Sequence, residues 1–139
     1  MVNESLKLVP NNENFYEFIR ILRNDEENQK GFLEKVNISL DQQIKYMEKF
    51  KNSYFICLQN EIPIGYVGVI ENDIRVCTDT KYKKSGAGTF MINEITKIYP
   101  NSTAKVLKNN QASLNLFKKC GFEIDSSDEN LFYLIQKKK

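Results

Sequence analysis

The residues best suited to chemistry lie in one stretch, Lys83-Lys84-Ser85-Gly86-Ala87-Gly88-Thr89. A run that reads as a strand precedes it, and a run that reads as a helix follows. The first turn of a helix presents unpaired N–H groups and the positive end of the helix dipole. Glycine lets an anion reach that backbone with no side chain in the way. Lys83 and Lys84 add charge, and Ser85 adds a hydroxyl donor. The segment reads as a pyrophosphate cradle, and a plain strand-to-helix turn is the alternative these residues alone leave open. Two other phosphate loops do not fit. A P-loop needs lysine directly after its last glycine, where this chain has Thr89, and a dinucleotide fold needs a third glycine where Met91 stands.

What is missing narrows the chemistry further. The chain has no histidine, which removes serine–histidine and cysteine–histidine nucleophiles and any histidine metal site. The three cysteines, Cys57, Cys77 and Cys120, show no C-x-x-C spacing and read as reduced, mostly buried thiols. Cys77 has no base to activate it and is taken as a strand residue. Carboxylates that could take up a proton through water are Glu71 and Asp73 at the start of a strand, with Asp79 further along. A surface carboxylate at a turn is more commonly only a solvated residue. A net charge of +2, from 20 basic and 18 acidic residues, argues against nucleic-acid binding. No apolar run approaches the ~20 residues that span a bilayer, and residues 1–10 lack a signal-peptide layout. A cytoplasmic location is expected.

The elements that must position these groups follow from periodicity. The chain's 139 residues suit a single domain, 1–139. Residues 6–9 read as a strand ended by Pro10. Phe15, Phe18, Ile19 and Leu22 mark a first helix, followed by a polar surface loop at 23–28. A second helix begins after Ser39, with Ser39 and Gln42 as a capping box and Ile44, Met47 and Phe50 as its apolar face. Residues 54–58, 64–70 and 73–78 form three closely connected strands, an antiparallel meander. In the third, Ile74 and Val76 alternate with Arg75 and Cys77, so its two faces differ. A helix over 87–99 is stopped by Pro100, and residues 103–107 give a fifth strand. The last helix carries Ser113, Leu116, Phe117 and Cys120 on one face and ends at Gly121. Residues 122–124 and 131–135 close the chain as a hairpin or an interrupted strand. The fold class is α+β, with one right-handed parallel crossover from the third meander strand to the fifth strand within an otherwise antiparallel sheet.

A second stretch sharpens the reading of the first. Asn110, Ser113, Phe117, Gly121 and Phe122 follow the spacing Asn-x-x-Ala/Ser-x-x-x-Tyr/Phe-x-x-x-Gly-Phe. Together with Lys83 to Gly88 this resembles the GNAT superfamily of acetyl-CoA-dependent N-acetyltransferases. In that superfamily Gln or Arg, two residues, then Gly-x-Gly/Ala opens the central helix. Lysine here replaces the usual Gln or Arg. The resemblance runs from about Tyr54 to Phe122.

The resemblance implies a fold with a mostly antiparallel central sheet splayed at the CoA site, and acetyl-CoA as co-substrate without a metal. The backbone of Lys84, Ser85, Gly86, Ala87 and Gly88, near Lys83 and Thr89, would hold the pyrophosphate. The strand ending at Cys77 would part from residues 103–107, so that pantetheine pairs with the backbone of Val76 and Cys77. Asn110 and Ser113 would meet the pantetheine arm, Phe117 would pack near the thioester, and Lys118, Lys83 or Lys108 would reach the outer phosphate. A strand N–H at Val76 or Cys77 would polarise the carbonyl. Phe117 stands where many members carry a proton-donating tyrosine and cannot donate; Tyr82, Tyr133 or water is left for that task.

The expected acceptor is a primary amine of a small molecule, an amino-sugar nucleotide among them, bound by Arg23, Asn24, Asp25 and Arg75. Transfer to a protein or peptide, and a non-catalytic CoA-binding module, are the alternative readings. The resemblance also makes a homodimer an expected assembly.

Overall fold

The computed structural model describes residues 6–30, 32, 37–83 and 85–137. Four strands, β1 (Leu6–Pro10), β2 (Tyr54–Gln59), β3 (Ile62–Ile70) and β4 (Asp73–Thr78), form one antiparallel sheet in the order β1-β2-β3-β4. The meander closes tightly because Asn60-Glu61 and Glu71-Asn72 all adopt positive φ. Two-residue turns of that hand match the twist of the strands they join. A second sheet, in the order β5-β7-β6, holds β5 (Ala104–Leu107), β6 (Phe122–Ser127) and β7 (Leu131–Gln136). The C-terminal hairpin therefore places its second strand between the other two.

The crossover places β4 and β5 parallel, in two sheets rather than one, parted as the resemblance implies. β4 and β5 touch only at their starts, through an isolated Asp73–Thr103 bridge. Ile74 N–H donates to Thr103 O at 2.9 Å and Thr103 N–H to Asn72 O at 2.6 Å. Beyond that point β5 pairs with β7, and the two sheets part. β4 and β5 are each the edge strand of their own sheet, so past the bridge neither has a ladder partner on the side facing the gap among the described residues.

Helices cover both faces of the first sheet. α1 (Tyr16–Asn24) and α3 (Leu40–Phe50) bury Ile19, Leu22 and Met47 against Tyr54, Ile56, Tyr66 and Cys77. α4 (Ala87–Ile98) buries Met91, Ile92 and Ile95 against Cys57, Val67, Val69 and Ile74 on the other face. The period of two in β4 thus sends Arg75 and Cys77 toward α1 and α3, and Ile74 and Val76 toward α4. α5 (Gln111–Lys119) adds Leu114 and Phe117 to the α4-side core and ends at Gly121, whose φ of 95° suits a helix C-terminus.

Two expectations are corrected here. The segment 23–28 is not an open loop. α1 runs to Asn24, and a one-turn helix, α2 (Glu26–Gln29), follows with Asp25 as its cap. Nor does α3 bury Ile44, which is exposed; Gln43 and Met47 are the buried positions. Gln43 is drawn inward because its Nε2 donates to Tyr16 O at 2.8 Å, tying α3 to the start of α1. The Ser39–Gln42 capping box is present and contributes about 1 kcal/mol to that helix start.

Candidate acetyl-transfer site

Parting the sheets leaves two cavities that share walls. The larger, about 830 Å³, is bordered by Val76, Cys77 and Thr78 of β4, by Lys83, Gly86, Gly88 and Thr89 at the start of α4, and by Asn110, Ser113 and Leu116 of α5. The smaller, about 350 Å³, is bordered by Arg23, Tyr54, Tyr66, Asp73, Arg75, Lys105 and Phe117. Val76, Asn110 and Ser113 line both. A molecule lying along the larger cavity can therefore present one end to the smaller.

The open edge of β4 has a definite polarity. Ile74 N–H points toward β5, and backbone groups alternate sides along a strand. Val76 and Thr78 thus turn their N–H and C=O groups into the gap. Cys77, paired with Tyr66 on β3, turns its own inward to the sheet. Of the two backbone positions expected to meet pantetheine, the register leaves Val76 available.

The start of α4 is built for close approach. Gly86 caps it at φ 87°, a left-handed conformation that favours glycine. Gly88 faces α5: an added Cβ would lie 3.0 Å from Leu116 Cδ2. Two of the expected donors have internal partners, since Ser85 N–H donates to Tyr82 O at 3.0 Å and Ala87 N–H to Ser85 Oγ at 3.2 Å. The helical ladder begins with Phe90 N–H to Gly86 O, so the N–H groups of the preceding turn have no intrahelical bond to make. Lys84 lies outside the described residues. Of the lysines considered for the outer phosphate, Lys83 borders the larger cavity and is joined there by Lys119, whereas Lys118 and Lys108 do not. Asn110 caps α5, with its Oδ1 accepting from Ser113 N–H and its Nδ2 donating to Ser113 Oγ. That bond fixes the amide at the junction of the two cavities.

The carboxylates separate clearly. Asp73 borders the smaller cavity and is 9% exposed. Its Oδ2 accepts from Arg75 Nε at 3.1 Å, while its buried Oδ1 has no partner among the described residues. Glu71 is exposed in the β3–β4 turn and borders neither cavity, and Asp79 caps the 3₁₀ turn at Thr80–Tyr82. Of the four acceptor residues expected from sequence, the structure brings Arg23 and Arg75 together and leaves out two. Asn24 is tied to the Ile38 backbone, its Oδ1 accepting at 2.7 Å and its Nδ2 donating at 2.9 Å. Asp25 is spent capping α2.

Phe117 is a buried side chain set edge-on to Phe122, its ring bordering the smaller cavity. Tyr82 packs against the α4-side core, and the Tyr133 hydroxyl donates to Asp128 at 2.7 Å; neither borders a cavity. The tyrosines that do are Tyr54 and Tyr66, which sequence reasoning missed. The signal was Gly68: its strand neighbours are Tyr54 and Arg75, and a Cβ there would lie 2.7 Å from the Tyr54 ring. Burial pushes both tyrosine pKa values up, so they stay protonated donors. Burial likewise pushes the Cys77 thiol to about 12, which removes it as a nucleophile.

Residues 11–122 match the sequence profile of the Acetyltransferase (GNAT) family. This chain belongs to that family. No match exists among curated protein sequences. Solved structures share the GNAT fold at low identity. A spermidine N-acetyltransferase from Vibrio cholerae, in complex with CoA and spermine, superposes with a TM-score of 0.85 at 18% identity, over 96% of this chain and 97% of the other. A GNAT-family acetyltransferase from Bacillus anthracis gives 0.80 at 14% identity, over 95% and 94%. A ribosomal-protein-alanine N-acetyltransferase from Brucella melitensis gives 0.80 at 14%, over 94% and 98%. No described helix of this GNAT chain is long and apolar enough to cross a membrane.

Proposed function

We propose that this GNAT acetyltransferase moves an acetyl group from acetyl-CoA to a primary amine of a small molecule, with an amino-sugar nucleotide among the acceptors to be tried. The observation that carries this reading is the junction at Val76, Asn110 and Ser113, where a long cavity with an anion-suited helix start meets a pocket holding a buried carboxylate. The residues present fit such a donor. Gly86 and Gly88 clear the start of α4, Lys83 and Lys119 supply cations, and the edge of β4 beyond Ile74 has no ladder partner among the described residues.

Bound there, acetyl-CoA supplies a thioester carbonyl open to attack by an amine. Val76 N–H, on the free edge of β4, is the donor that polarises this carbonyl. Asp73 Oδ1 receives the proton the amine nitrogen gives up as the C–N bond forms. The departing sulfur takes a proton in its turn, leaving an amide and a free thiol. Phe117 donates none, so that proton comes from water or from a buried tyrosine hydroxyl. A general acid contributes ~10²–10⁴-fold, and a thiolate leaves readily enough that its replacement by water slows rather than abolishes transfer.

Calorimetry with acetyl-CoA tests the first half of the reading, with Gly86→Glu and Lys83→Glu as variants. Wild-type binding that both variants weaken supports the cradle. Release of free thiol with a panel of amines, amino-sugar nucleotides and peptides tests the second half. Turnover with peptides only would favour a protein acetyltransferase, and tight binding without any transfer would favour a non-catalytic CoA-binding module.

A further inference from the structure

We propose that the smaller cavity selects an acceptor amine carrying a fixed negative charge, gripped by Arg23, Arg75 and the Tyr54 hydroxyl. This rests on the acetyl-transfer reading and narrows its substrate class. Four charged side chains border the cavity: Arg23 from α1, Asp73 and Arg75 from β4, and Lys105 from β5. Three are cations and one is an anion. The single carboxylate engages Arg75 only through Nε, and among the described residues nothing takes the terminal nitrogens of that guanidinium.

Arg23 is held for the same task. Its guanidinium lies 4.5 Å over the Tyr46 ring. Stacking orients the planar fork and leaves its in-plane N–H donors free for an oxyanion. No carboxylate pairs with Arg23 among the described residues. The Tyr46 and Tyr54 hydroxyls lie 2.6 Å apart, so one donates to the other. With Tyr46 donating, Tyr54, which borders the cavity, has its proton left for a ligand. The Arg23 fork, the terminal nitrogens of Arg75 and one proton of the Tyr46–Tyr54 pair are donors that no acceptor among the described residues takes. Their shared chemistry is recognition of phosphate or carboxylate.

The arrangement also sets the acceptor's direction. Asp73 Oδ1, buried and without a partner among the described residues, is the acceptor in the pocket suited to an amine. An amine at Asp73 with an oxyanion toward Arg23 is a zwitterion lying across the cavity. A polyamine such as the spermine of the Vibrio cholerae complex would bring added positive charge to a pocket already cationic, so this chain should reject it.

The test is a matched substrate series: ethanolamine as neutral amine, phosphoethanolamine and β-alanine as its phosphate and carboxylate counterparts, and spermidine as polycation. The anionic amines should exceed ethanolamine by ~10- to 100-fold in kcat/KM, the worth of one or two charge-assisted hydrogen bonds. Whichever of the two leads identifies phosphate or carboxylate as the group recognised. Arg23→Gln should collapse the preference, Arg23→Lys should retain part of it, and Arg23→Glu should turn it toward spermidine. All three should keep wild-type affinity for acetyl-CoA, because Arg23 does not border the larger cavity.

Equal use of ethanolamine, or a preference unmoved by Arg23→Gln, overturns the proposal while acetyl transfer stands. Calorimetry with phosphoethanolamine alone separates the opposite case. Binding lost in Arg23→Gln, without turnover, keeps the anion site and removes the transfer reading. Absence of binding by the wild type, together with indifference to charge in turnover, removes the site.

Discussion

Replacing Asp73 with asparagine tests the proposed proton acceptor with little disturbance to the fold. The two side chains are nearly isosteric. In Asp73→Asn the new amide oxygen can still accept from Arg75 Nε, and the new NH₂ takes the place of an Oδ1 that has no partner among the described residues. The ion pair it removes is partly solvated, since the Arg75 side chain is 46% exposed. Its loss should therefore cost no more than about 1 kcal/mol. Removing an unpartnered charged oxygen from a buried position works the other way, so the thermal midpoint should move little. Catalysis should respond very differently. Loss of a positioned base costs ~10²–10⁴-fold in rate, or about 3–5 kcal/mol of barrier. The assay is free-thiol release at saturating acetyl-CoA, beside calorimetry of acetyl-CoA binding and a melting curve. Glu71→Gln is the control, for Glu71 is exposed in its turn and touches neither cavity. A fall confined to Asp73→Asn, with binding and melting intact, is the expected outcome. Activity within about threefold of wild type, or a larger loss in Glu71→Gln, would refute the reasoning and return the proton to solvent.

Three further outcomes follow from the geometry. Gly88→Val should push Leu116 toward the larger cavity, costing about 1–3 kcal/mol of stability and weakening acetyl-CoA binding; a melting curve and calorimetry read both, and unchanged affinity would remove Gly88 from the site. Asp128 is held below the usual carboxylate range by the Tyr133 hydroxyl, then by the Asn130 and Leu131 N–H groups. A carboxylate with a lowered folded pKa contributes stability above its unfolded pKa and loses it as pH falls through the folded one. Asp128→Asn should therefore melt below wild type at neutral pH, and the gap should close in acid. Burial raises Cys57 to about 11 and Cys77 to about 12, while half-buried Cys120 is raised with Lys119 opposing. Alkylation at neutral pH should label Cys120 first, and peptide mapping that finds Cys77 labelled first in folded protein would contradict the assigned burial.

Local chemistry made much of this protein legible in one dimension. Ser39 and Gln42 mark a helix start because a capping box is completed within four residues. The meander shows in its strand periods and short connections. The absence of histidine excludes whole reaction classes without any structure. Gly86 and Gly88 before a helix, followed by Asn110 to Phe122 at fixed spacing, are local patterns that point to one family, and the family match over residues 11–122 agrees.

Other features depend on pairings between distant segments, which a linear reading cannot resolve. Asn24 and Asp25 share their neighbourhood with Arg23 and look as suited to a substrate, yet Ile38 and the start of α2 consume them. Glu71 and Asp73 stand two residues apart and look alike. The β3–β4 turn exposes one, while the parting of β4 from β5 buries the other beside a cavity. Tyr54 reaches the smaller cavity because Gly68, fourteen residues on, pairs with it and leaves its ring room. The choice of Val76 over Cys77 as the available backbone donor was fixed by ladder register, set by the Ile74–Thr103 bond. By itself the sequence determined the elements, the phosphate-suited turn and the class of chemistry. Only the tertiary structure decided which polar groups remain free for a ligand, because a polar group is free only when no partner elsewhere in the fold has claimed it.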